Sequence, residues 1–91
     1  MEELFDIRKL VEEFAENTEL PLLFIDGHDN AILGVSRKFN YYSVIYDKKK
    51  VISNLLEHMD YESAIEYFEF NIVGAWLGDN TPTFLEDLME N

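Results

Sequence analysis

Apolar residues at Leu4, Ile7, Leu10, Val11 and Phe14 recur at intervals of three and four, with Glu and Lys between them. That period predicts an amphipathic helix over residues 2–16. Asn17-Thr18-Glu19 closes it, and Pro21, which lacks an amide proton, bars its continuation. Glu2, Glu3 and Asp6 fall in its first turns, where the helix dipole favours anions. LPLLFID (20–26) follows, an apolar run of strand length, and Gly27-His28-Asp29-Asn30 is dense turn chemistry. AILGVSRKF (31–39) reads as a second strand, with Gly34 as a bulge or a point of close approach. Asn40 offers another turn. YYSVIYD (41–47) alternates and is rich in β-branched and aromatic residues, so it reads as a third strand. Three strands joined by short turns predict an antiparallel meander.

Asp47 is placed to cap a helix whose apolar stripe is Val51, Ile52, Leu55, Leu56 and Met59, ending near His58. Asp60 caps the next helix, with Met59 and Ala64 spaced as a hydrophobic staple. Tyr61, Ala64, Ile65, Phe68, Ile72, Ala75 and Trp76 share one face of a helix over residues 61–76. A strand of that length is rare, and alternation explains only Phe68, Phe70 and Ile72. Tyr67, Phe70 and Val73 lie off the stripe, so the helix is apolar on two sides, with Glu62, Glu66 and Glu69 as its polar edge. Such a helix either sits centrally or shows part of itself to a partner. Leu77-Gly78-Asp79-Asn80-Thr81-Pro82 is a loop, and Thr83-Phe84-Leu85 is a short last strand or the start of a helical turn. The predicted fold is α+β in a single domain, 1–91. It comprises an N-terminal helix, a three-stranded antiparallel meander, and two consecutive helices packed on one sheet face.

Composition narrows the class. The chain has 91 residues, 47% of them apolar and 14% aromatic, which is globular rather than disordered. Without cysteine there is no disulfide or thiolate metal cluster, which suits a cytoplasmic setting. The acidic start does not read as a signal peptide, and no apolar run is long enough to span a membrane. The net charge is −12, unevenly spread. Residues 1–36 hold nine acids and two bases; residues 37–50 hold five bases against Asp47; residues 51–91 hold nine acids and no base. Such a field repels nucleic-acid phosphates and anionic lipid and attracts a basic protein surface.

Candidate chemistry is sparse. Asp26, His28 and Asp29 could ligate a divalent ion or serve as acid and base, but Asp, Gly and Asn stand at the same places in ordinary turns. His58 falls near a helix C-terminus, a structural placement. There is no Gly-x-Ser-x-Gly elbow and no phosphate-binding glycine loop. Lys48-Lys49-Lys50 opposes the dipole of its helix, which implies compensation by nearby acids. Its functional alternative is a basic patch shared with Arg37 and Lys38, with Tyr41 and Tyr42 available for stacking. Asn71 falls within the apolar stripe, where a buried amide would pin a turn or line a pocket.

The pattern D-G-x-D-x-A-x-x-G (Asp26 to Gly34), then Phe39, the strand end Val44 to Asp47, and E-Y-F-E-F-N-x-x-G-A-x-x-G-x-x-T-P-x-F (Glu66 to Phe84) resembles small bacteriophage and prophage proteins of unassigned function. The resemblance spans residues 22–85 and implies origin rather than activity. The expected function is a non-enzymatic, acidic protein-binding module without cofactor or metal. Its partner would be a host protein with a basic surface, met in the bacterial cytoplasm, such as a defence or nucleic-acid-handling protein. Direct nucleic-acid or membrane binding is not expected. The expected contact residues are Tyr67, Phe70 and Trp76 on the helix, with Asp79, Asn80, Asp26 and Asp29 as a polar surface if their two loops converge. Alternatives are a structural or regulatory homodimer using the aromatic face and a small metal-dependent enzyme at the Asp26–Asn30 turn.

Overall fold

The computed structural model of the chain describes residues 6–75 and 77–89. Helix α1 runs Ile7–Thr18, begun by Asp6, whose carboxylate accepts the Arg8 amide proton, and ended by Glu19 in a left-handed conformation. The expectations for residues 2–5 and for Trp76 lie outside the described residues. A 3₁₀ turn at Asp29–Ala31 leads into strand β1, Ile32–Lys38, which pairs antiparallel with β2, Tyr41–Asp47. The register shifts between Ile32 and Gly34, and Gly34 has φ of 152°, so the expected bulge is there. Helix α2 (Lys48–Leu55) and helix α3 (Tyr61–Tyr67) follow. α3 continues as a π-helical segment, Phe68–Val73, before strand β3, Thr83–Leu85.

The fold is α+β, but the sheet is mixed and is not a meander. Its order is β1-β2-β3, with β3 parallel to β2. A long crossover through two helices joins β2 to β3, the kind of connection that parallel neighbours require in place of a tight turn. The apolar run 20–26 is no strand. Pro21 has no amide to give a ladder, and the amide of Ile25 donates instead to the buried Tyr46 hydroxyl at 2.8 Å. Leu22, Phe24 and Ile25 pack against the core as an irregular cover.

The core lies on the sheet face that carries Val44 and Tyr46. Val11 of α1, Ile32 of β1, Val51, Ile52 and Leu55 of α2, and Ala64 and Phe68 of the last helix gather there. Phe84 of β3 sits 6.1 Å from the Tyr46 ring and meets Phe68 edge-on at 5.1 Å. No helix among the described residues is long and apolar enough to cross a membrane.

Candidate protein-docking site

Asp60 starts α3 by accepting the Ser63 amide proton at 2.8 Å. That hydrogen bond holds the Asp60 carboxyl below its usual pKa. Ala64 and Phe68 then turn inward and are buried, and Ile72 follows, half-buried. Their spacing of four suits a turn wider than the α-helix, and the backbone widens there: the Gly74 amide donates to the Glu69 carbonyl at 3.1 Å, five residues back. The wider turn sends Asn71 to the surface, so the buried position expected for it is not found.

The helix is not central; its second apolar side faces water. Phe70 is 77% exposed and Tyr67 42%. With Met59, Ser63, Glu66 and Asn71 they line a shallow cup of about 360 Å³. Glu62, Glu66 and Glu69 are exposed along the same helical stretch, and Glu66 lines the cup. Asn71 also borders a smaller cleft of about 170 Å³, lined by Phe24, Ile25, Ile72, Ala75, Leu77 and Pro82.

The Asp26–Asn30 turn is a structural clip between α1 and α2. Arg8 donates to Asp29 and to Glu12, both at 2.9 Å, and stacks its guanidinium 3.8 Å from the Phe24 ring centre. Partial burial works against the Arg8 charge, but the two carboxylates outweigh it and raise its pKa. The Asn54 amide nitrogen donates to Asn30 Oδ1 at 2.8 Å and lies 3.0 Å from His28 Nδ1. Asn30 returns a bond to Asn54 Oδ1 at 3.2 Å. With Asn54 as donor, His28 Nδ1 accepts, and the ring is neutral with its proton on Nε2. Burial of this ring lowers its pKa. Among the described residues, no three His, Cys, Asp or Glu side chains gather as a metal-ligand set.

The two polar loops do not converge. The Asp29–Ala31 turn enters β1 beside the Ile32–Tyr46 pair, at the end of β2. Asn80 donates to the Tyr42 carbonyl at 2.9 Å, at the start of β2. The parallel course of β3 places its leading loop there, at the far end of the ladder from Asp26 and Asp29. Asp26, Asp29 and Asp79 are exposed. Thr81 ties its own loop, accepting from the Leu77 amide and donating to the Gly78 carbonyl, each at 2.7 Å.

The basic patch is split as well. Arg37 and Lys38 pair with Tyr42 and Tyr41 at the hairpin end, whereas Lys48 follows the opposite end of β2. Lys48 binds both oxygens of Glu86 at 3.1 Å, and Lys49 donates to the Met89 carbonyl at 2.8 Å. With Asp87 3.8 Å from Lys49, the compensation by acids that lysines in a first helical turn implied is seen for Lys48 and Lys49. The turn expected at Asn40 is there and also takes in Phe39, which had the composition of a last strand residue. Comparison with known proteins finds no matching family model, no similar curated protein and no similar solved structure.

Proposed function

We propose that the chain is a non-enzymatic binding module that docks a basic protein surface on the outward side of α3. One observation carries this reading: Phe70 and Tyr67 stand in water beside Glu66, on a helix that also exposes Glu62 and Glu69, within a half of the chain that contains no lysine or arginine. Exposed aromatics in a shallow cup are typical anchors, and the acidic flank selects the sign of the partner's charge. Nucleic acid is disfavoured by a net charge of −12. A two-fold homodimer through this face would set Glu62, Glu66 and Glu69 against their own copies, so it is the weaker occupant. If the origin is a phage, as the resemblance implies, the partner we propose is a protein of the bacterial host, bound in its cytoplasm and inhibited by the contact.

The test is binding to a synthetic amphipathic lysine–leucine helix, with a glutamate–leucine helix as control. The parent binds the basic peptide, and added salt weakens the complex. Burying Phe70 is worth roughly 1.5–3 kcal/mol, so Phe70→Ala weakens binding about tenfold or more. Equal binding by Phe70→Ala, or indifference to salt, would overturn the reading.

A further inference from the structure

At the tip of the β1–β2 hairpin the connection is Phe39-Asn40. Phe39 has φ of 57°, a left-handed conformation that favours Gly or Asn over a phenylalanine. Its ring is 79% exposed. The tip is nevertheless braced. Arg37 Nε donates to the Phe39 carbonyl at 2.9 Å, and its guanidinium lies 5.3 Å from the Tyr42 ring. Asn80 holds the Tyr42 carbonyl from the other side. Lys38 and Tyr41 face each other across the strands, both exposed. A disfavoured backbone, braced by these bonds and displaying an aromatic ring next in sequence to Arg37 and Lys38, is a preorganised anchor.

The cup on α3 is complementary to it. It is lined by Met59, Tyr67 and Phe70, rimmed by Glu66, and at about 360 Å³ has room for a phenyl ring. We propose that the tip inserts Phe39 into the α3 cup of a second copy, with Arg37 and Lys38 against the acidic rim at Glu66. This rests on the reading of α3 as a docking face and names a partner that the chain itself supplies. Tip and cup are different surfaces, so the contact is heterologous. Each copy keeps a free tip and a free cup, and association runs on past the dimer. The contact is small and the molecules share a like net charge, so association is weak and appears at high concentration.

Sedimentation equilibrium of the full chain tests this between about 20 μM and about 2 mM, a range that brackets weak contacts. The weight-average mass climbs above 10.7 kDa with concentration and does not level off at the dimer. Phe39→Gly and Phe70→Ala each stay monomeric. Their mixture forms dimers and nothing larger, because one variant keeps the cup and the other the tip. Phe39→Gly melts no lower than the parent, which separates lost docking from lost folding. A parent monomeric throughout, a plateau at the dimer, or undiminished association of Phe39→Gly would overturn the proposal. A monomeric parent that still binds the lysine–leucine helix through Phe70 sinks self-docking alone; loss of both sinks the docking face.

Discussion

Replacing Tyr46 by Phe removes one oxygen from the middle of the protein. The Tyr46 side chain is fully buried, and its hydroxyl is the acceptor for the Ile25 amide at 2.8 Å. Burial raises the Tyr46 pKa, although the Ile25 bond pulls it the other way, so the group is neutral near pH 7. A phenylalanine keeps the ring against Phe84 and leaves the amide of a half-buried residue without its partner. Leaving such a donor unmet costs roughly 1–3 kcal/mol. We expect about 2 kcal/mol, a substantial share of the roughly 5–15 kcal/mol typical of a domain. At roughly 4–8 °C per kcal/mol for a chain of this size, the midpoint of melting falls by about 8–16 °C. Urea unfolding reads the loss directly, with an unchanged slope because the surface exposed on unfolding is unchanged. Hydrogen exchange at Ile25 should quicken more than at the β1–β2 ladder. A loss below about 0.5 kcal/mol would refute the reasoning, since it would mean the Ile25 amide finds another acceptor.

Two further outcomes follow from the same geometry. The folded state holds His28 neutral with a pKa below 6.5, so the unfolded chain takes up the proton first. Stability is complete above that pH and declines as the pH falls from there toward the folded pKa. Urea unfolding at a series of pH values reads this slope, and His28→Gln flattens it. Phe39→Gly relieves a left-handed phenylalanine, while the mostly exposed ring gives up little packing. Thermal melting should show a gain of about 0.5–1 kcal/mol, the left-handed penalty less the added freedom of glycine in the unfolded chain.

Local chemistry was legible wherever a short stretch decides its own structure. The period of Ile7, Leu10, Val11 and Phe14 gave α1, the capping aspartates Asp47 and Asp60 marked the starts of α2 and α3, and Gly34 marked the bulge. The alternation of YYSVIYD gave β2. What failed depended on distant partners. Leu20–Asp26 has the composition of a strand, but its one informative amide is claimed by a tyrosine hydroxyl 21 residues away. The direction of β3 is set by how the long crossover before it packs, and that direction decides which loops share an end of the sheet. Asn71 left the buried stripe because the helix widens after Tyr67, a change of period that apolar spacing alone conceals. Of the expected aromatic contacts, Tyr67 and Phe70 line one cup, and Trp76 lies outside the described residues. The acidic ones are dispersed between two ends of the β1–β2 ladder.

The most direct test is amide chemical-shift mapping of the isotope-labelled chain during titration with the lysine–leucine helix. A docking face on α3 predicts that the largest shifts fall on Met59, Ser63, Glu66, Tyr67, Phe70 and Asn71, and that salt reverses them. Shifts spread evenly over every acidic stretch, or centred on the Asp26–Asn30 turn, would contradict it.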